Sequence, residues 1–232
     1  MTFKEHVLQN FGIHLSSQQE TQFEVYFNYL IEYNKITNLT RITDEREVYI
    51  KHFFDALTII KILDFNAVHS LCDMGSGAGF PSIPLKIIFP HLDITIIDSL
   101  GKRIIFLENL INKLILTPIN LINDRIETYA VKNQLKFDLV TARALGNMSL
   151  ICEMGLPMTK VGGFFIAYKS INYEQELNQA KNAIKLLGGQ IAKIETFELP
   201  NQMGHRTLIS IQKTHTSQGF PRSFSQMIKK PL

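Results

Sequence analysis

Seven consecutive residues, Gly75-Ser76-Gly77-Ala78-Gly79-Phe80-Pro81, carry the most telling chemistry of this 232-residue chain. Glycine recurs at every second position, between the apolar run Leu71-Cys72-Asp73-Met74 and a helical apolar segment, Ile83 to Phe89. That spacing lets the backbone turn sharply and approach a ligand where a Cβ would collide. The helix that follows presents unpaired N–H groups and a positive dipole end, which suit a carboxylate or phosphate. Asp98 closes the β-type run Ile94-Thr95-Ile96-Ile97, 23 residues beyond Gly75. An acid in that position accepts hydrogen bonds from ribose hydroxyls. Together, loop and acid predict a nucleoside cofactor.

The dinucleotide fingerprint G-x-G-x-x-G needs a third glycine for close helix–strand packing. Here the glycines are Gly75, Gly77 and Gly79, and Phe80 stands at the third fingerprint position. A ring there crowds a pyrophosphate bridge but can wall a smaller ligand. With Asp73 just ahead, the pattern D-x-G-x-G-x-G resembles the S-adenosylmethionine loop of class I methyltransferases. A nicotinamide-dependent (NAD(P)) oxidoreductase is the rival that uses the same loop and acid. A noncatalytic RNA-binding module is another.

From Asn66 onward, strand-like and helical runs alternate. Val68–Met74 is followed by 82–89, Ile94–Ile97 by 101–114, and Pro118–Leu121 by 124–133. Phe137–Thr141 precedes 147–157, and Phe164–Lys169 precedes 173–187. Repeated β-α units predict a doubly wound α/β fold with a parallel sheet. The last two runs, Gln190–Phe197 and Arg206–Lys213, are joined by a stretch too short for a crossover helix, so they predict an antiparallel hairpin. That ending matches a class I, Rossmann-like methyltransferase sheet; a dinucleotide fold more often closes with a sixth parallel strand. Residues 1–64 read as a helical cap, 65–213 as the Rossmann-like domain and 214–232 as a basic tail. In the cap, Ser16 offers an N-cap ahead of Phe23, Tyr26, Phe27, Leu30 and Ile31 at helical spacing, and a further helix starts at Thr43-Asp44-Glu45.

A hydrophobic content of 45% is ordinary for a packed domain. No uncharged apolar run reaches the ~18 residues of a membrane span. The start, Met1-Thr2-Phe3-Lys4-Glu5-His6, has no apolar signal core, so a cytoplasmic protein is expected. Cys72 and Cys152 form neither a disulfide framework nor a metal spacing, and Cys72 reads as a buried, inert thiol. His52 and Asp55, three apart on one helix, lack a third ligand and read as a packing pair; no metal is expected. Charge is uneven. Residues 1–64 hold six basic and nine acidic side chains, whereas Arg206, Lys213, Arg222, Lys229 and Lys230 follow Glu198 with no acid among them. Such an end suits a polyanion or a solvated tail equally.

Several strings together resemble one family, the small-subunit ribosomal RNA (guanine-N7)-methyltransferases, also called glucose-inhibited division protein B. They are Tyr33-Asn34-Lys35-Ile36-Thr37-Asn38-Leu39-Thr40, Lys51-His52-Phe53-Phe54-Asp55, the glycine loop with Phe80-Pro81, and Asp98-Ser99-Leu100-Gly101-Lys102-Arg103. Arg125-Ile126-Glu127, Ala142-Arg143-Ala144 and the end from Pro221-Arg222 to Pro231-Leu232 complete the set. Ile126 departs conservatively from the family's usual alanine or valine, and the end lacks the dense lysine run of some members. The resemblance implies methylation of a guanine N7 in the 530 loop of 16S rRNA, with S-adenosylmethionine as cofactor and the small ribosomal subunit, or a particle assembling into it, as partner. By the same resemblance, Gly75, Ser76, Gly77 and Gly79 hold the methionine part, Phe80 lines the cofactor pocket, Asp98 binds the ribose, and Ile126 and Glu127 frame the adenine. Arg143 then faces the cofactor and the incoming base.

Asn38, Arg125, Arg143 and Lys169 are the candidates for holding the base or nearby phosphates. Guanine N7 has an in-plane lone pair and no proton, so transfer to it needs no general base, and alignment carries the catalysis. Thr141-Ala142-Arg143-Ala144 stands where adenine-N6 enzymes carry an Asn/Asp-Pro-Pro-aromatic tetrad, and neither cysteine follows a proline as cytosine-C5 attack requires. Another class I methyltransferase with a different nucleic-acid substrate is the remaining alternative.

Overall fold

The protein, described here by a computed structural model covering residues 1–232, begins with capped helices. α1 (Phe3–Phe11) and α2 (Ser17–Thr37) each start on a reciprocal capping box, Thr2 with Glu5 and Ser16 with Gln19. These boxes satisfy N–H groups that the first turn leaves free. Asp44 caps α3 (Glu45–Val48), which widens into a π-helical turn over Tyr49–Phe54 before α4 (Asp55–Leu57) and a tight turn over Thr58–Lys61. The sequence pattern reads as one regular helix here. The widened turn instead carries His52 and Phe53, both within ring-packing distance of Phe80.

The sheet and its helices follow in strict alternation: β1 (Ser70–Met74), α5 (Ser82–Ile88), β2 (Asp93–Ile97), α6 (Gly101–Leu114), β3 (Ile119–Ile122) and α7 (Ile126–Lys132). β4 (Phe137–Arg143), α8 (Met148–Gly155), β5 (Thr159–Lys169) and α9 (Glu174–Leu186) complete the β-α units. β6 (Gly189–Glu198) and β7 (His205–Lys213) form the closing hairpin, and α10 (Phe224–Lys229) ends the chain. The seven strands lie in the order β3-β2-β1-β4-β5-β7-β6. β1 to β5 are parallel, and β7 inserts antiparallel between β5 and β6.

Both sheet faces are covered, so the strands are apolar on both sides. Alternate residues point to two different cores: Leu71, Ile96, Leu139 and Ile166 enter one, and Cys72, Ile97, Val140 and Ala167 the other. The first core joins α5 and α6 to the cap through Val7, Phe23, Tyr26, Leu30 and Phe53. The second holds α7, α8 and α9, and it takes in Met227 of α10. The basic end expected as a tail is therefore folded back onto the domain. Arg206 lies within β7, and Arg222 sits on Glu153 of α8, with its main-chain N–H at 3.0 Å and its guanidinium Nε and Nη2 each at 2.7 Å. An acid buried at 2% exposure needs such a partner, and the requirement fixes the chain's course.

Candidate functional site

At β1 the strand order reverses, β2 on one side and β4 on the other, which opens a crevice at the carboxyl ends of the strands. The glycine loop sits there. Gly75, Gly77 and Gly79 all have positive φ, +66°, +62° and +99°. Gly75 N–H donates to Ile97 O at 2.8 Å, while Gly79 and Phe80 N–H both donate to Ser76 O at 3.0 Å. Tyr26 of the cap donates its hydroxyl to Ala78 O. Beneath the loop, Asp73 is wholly buried and accepts from Ser82 N–H (3.3 Å) and Thr141 Oγ1 (3.0 Å). Complete burial lifts its carboxyl to about 7, although hydrogen bonds from Ser82 and Thr141 oppose the rise. Asp73 thus ties the loop's exit to β4.

Asp98, 2% exposed, follows β2. Its Oδ1 accepts from Leu100 N–H (2.9 Å), and its Oδ2 accepts from Gly77 N–H (3.3 Å) and Arg103 Nη1 (3.2 Å). Beside it opens a cavity of about 290 Å³, whose lining includes Gly75, Asp98, Arg125, Ile126, Glu127 and Phe224. The structure therefore brings four of the expected cofactor residues to one hollow. A second cavity, about 300 Å³, lies across Leu145 and includes Arg143, Lys169, Ser170 and Arg206. Leu145 lines both hollows, and its Cδ1 would stand 2.6 Å from a Cβ placed on Gly75. A Cβ there would displace that leucine methyl, and at φ +66° it would strain the backbone as well.

Arg143 is the last residue of β4, one position earlier than a site beyond the strand. Its Nη2 donates to Lys51 O (2.8 Å), lies 3.2 Å from His52 Nδ1, and is 3.2 Å from Asp55 Oδ2. Asp55, fully buried, also receives Arg206 in two bonds at 2.6 and 2.8 Å. His52 Nε2 is 2.8 Å from Thr40 Oγ1, and its ring stacks on Phe80 at 4.8 Å. Burial, reinforced by the Arg143 charge, pushes the His52 imidazole down to about 4, so it is neutral at pH 7. His52 and Asp55, expected only to pack, converge on Arg143.

The remaining expected residues are less central. Lys169 is tied to Gly146 O at 2.8 Å and Glu176 at 2.6 Å. Arg125, N-cap of α7, pairs with Glu127 and lies over the Phe224 ring. Asn38 is an exposed C-cap of α2 with φ +46°, and no hydrogen bond links its side chain to either hollow. Phe80, expected as a cavity wall, is 7% exposed between Tyr26 and His52 and lines neither hollow. Its ring instead supports the Arg143 guanidinium, 5.4 Å away. A larger cavity, about 610 Å³, lies among α1, α2 and α3, with none of the residues at the strand ends in its lining.

Leu145, Arg103 and Phe224 line the site without a role expected from sequence. Arg103 belongs to the Asp98–Arg103 string and was open to notice; Leu145 and Phe224 had no local signal.

Two observations fit these residues to a small ligand. Ser76 Oγ is buried without a hydrogen-bond partner, and a Cβ on Gly77 would meet nothing within 4 Å. Gly77 therefore faces open space, and the neighbouring Ser76 holds an enclosed polar atom still unspent.

Strand order, inserted antiparallel strand and glycine loop define a class I methyltransferase fold. Solved structures agree: precorrin-6y C5,15-methyltransferase from Geobacter metallireducens superposes with a TM-score of 0.51 at 15% identity, covering 70% of this chain and 87% of its own. TYW2 of M. jannaschii in complex with AdoMet gives 0.52 at 13%, covering 87% and 78%. The family model described as rRNA small subunit methyltransferase G (GidB) matches residues 19–206. Ribosomal RNA small subunit methyltransferase G of Acholeplasma laidlawii is 49% identical over 95% of this chain and 96% of its own length. The Bacillus subtilis protein of the same description is 45% identical over 95% and 94%. The chain belongs to the rRNA small subunit methyltransferase G family. No helix is long and apolar enough to cross a membrane.

Proposed function

We propose that the protein transfers a methyl group from S-adenosylmethionine to N7 of a guanine in the 530 loop of 16S rRNA, acting in the cytoplasm on the small subunit or a particle assembling into it. The observation that carries this reading is the pair of hollows meeting at Leu145, one beside Asp98 and one beside Arg143. Asp98, with Ile126 and Glu127, would hold the adenosine part. The main-chain N–H groups of Ser76 and Ala78, which the loop does not spend on itself, and Ser76 Oγ would hold the methionine part. When bound, S-adenosylmethionine supplies an electrophilic methyl group.

The Arg143 side would take the base. Arginine can donate to guanine O6, which leaves the N7 lone pair free for the sulfonium methyl. Arg143 Nη1 is buried and without a partner, so it has a donor to spend. N7 carries no proton, so no residue of this site has to remove one. That suits a cluster in which Asp55 is saturated by arginines and His52 resists protonation. What remains for the protein is alignment and exclusion of water.

The test is a Gly77→Arg change, which fills the space in front of the loop. Cells carrying it should lose one N7-methylguanine from 16S rRNA, while purified wild type binds S-adenosylmethionine and not NAD. Intact methylation in those cells would overturn the assignment, and preferential NAD binding would return the oxidoreductase reading.

A further inference from the structure

We infer that Phe224, carried in by the C-terminal segment, is the outer wall of the adenosine-side hollow and stacks on the cofactor's purine; this rests on the reading above. Phe224 is 38% exposed and lines the same cavity as Asp98, Ile126 and Glu127, although it stands at the far end of the chain. Its ring lies 4.8 Å from the Arg125 guanidinium carbon, and Arg125 Nε donates in turn to the Glu127 carboxylate. Ring, guanidinium and carboxylate thus form one connected edge of the cavity.

The segment is pinned on both sides of that ring. Two residues earlier, Arg222 is bound to Glu153 through its backbone N–H and two guanidinium nitrogens. Three residues later, Met227 is 2% exposed in the second core. Between them, Ser223 and Gln226 form a capping box that sets the first turn of α10. Glu153 also neighbours Met154, itself a lining residue, so strap and cavity share α8. The backbone at Phe224 is therefore held while the residue stays partly accessible.

An aromatic face backed by a guanidinium is an attractive platform for a purine, by offset stacking and by contact with the cation. Arg222, read from sequence as part of a basic end that suits a polyanion or solvent equally, is instead consumed by Glu153 and works as the anchor. The C-terminal end thus serves the cofactor side of the reaction.

Calorimetric titration of the full-length protein tests this, with S-adenosylmethionine and, separately, adenosine. Phe224→Ala should raise Kd for both about tenfold, Phe224→Tyr should restore binding to within about twofold, and Ile228→Ala, 53% exposed on the same helix, should change neither. Melting of the ligand-free Phe224→Ala protein should match wild type, since a partly exposed side chain is lost without a cavity. If wild type binds S-adenosylmethionine and Phe224→Ala binds it equally well, the wall assignment fails alone. The same holds if the change weakens only binding to small-subunit RNA, which would make the ring an RNA contact. If wild type takes up neither probe, the assignment falls together with the cofactor reading beneath it.

Discussion

Replacing Asp55 by alanine should cost about 3 kcal/mol of folding stability. The carboxylate is fully buried at the start of α4 and receives three charged donors, Arg206 Nε at 2.6 Å, Arg206 Nη2 at 2.8 Å and Arg143 Nη2 at 3.2 Å. Deleting one partner of a buried ion pair typically costs about 3–5 kcal/mol, because the remaining charge is stranded. Here two cations are stranded, but their side chains keep 13% and 20% exposure, so water recovers part of the loss. The lower end of the range follows, a large share of the ~5–15 kcal/mol that holds a typical domain together. Urea denaturation with parallel fluorescence and circular dichroism measures it. Adding Arg206→Met to Asp55→Ala should recover at least about 1 kcal/mol, since one stranded charge goes with it. A single-mutant cost below about 1 kcal/mol, or a double variant no better than the single, would refute the view that one carboxylate joins the cap to β4 and β7.

Other expectations follow from the loop and from two buried groups beside it, Asp73 and His52. Gly79→Ala places a Cβ 2.7 Å from Ile83 Cγ1 and 2.9 Å from Tyr26 Oη at φ +99°, so it should cost about 2–3 kcal/mol. Gly77→Ala meets only backbone strain, about 1 kcal/mol, and thermal midpoints that fall equally for the two would contradict the geometry. For Asp73, the folded pKa of about 7 lies above the unfolded value of 3.8, so its contribution is fully present below 3.8 and is lost as pH rises through 7. The stability of wild type relative to Asp73→Asn should therefore decline between pH 4 and 7 and then level off; a constant difference across that window rules this out. His52 acts in the opposite sense. Its folded value of about 4 lies below 6.5, so its contribution is present above 6.5 and lost as pH falls toward 4. Its ring C–H resonance should not move between pH 8 and 5.5, and a midpoint near 6.5 would show that the imidazole is not enclosed.

Much of this architecture is legible in the amino-acid order because it is governed by short-range rules. Alternating apolar runs and helical periods located every β-α unit to within a few residues, since burial on both sheet faces and on one helix stripe leaves those periods behind. The glycine loop and Asp98 declared themselves because a left-handed turn and a ribose acceptor each call for particular residue types. The hairpin's existence was readable from the short connection, but its insertion of β7 beside β5 was not. Tertiary structure alone decided the rest. Arg143 and Arg206 both meet Asp55, the second across 151 positions, because a charge taken out of water must find an opposite charge wherever the fold has one. Phe224 reaches the Asp98 hollow for the same reason, through the grip of Arg222 on Glu153. The requirement to pair a buried ion has no sequence period, so the loop was written in the chain while its walls had to be folded into place.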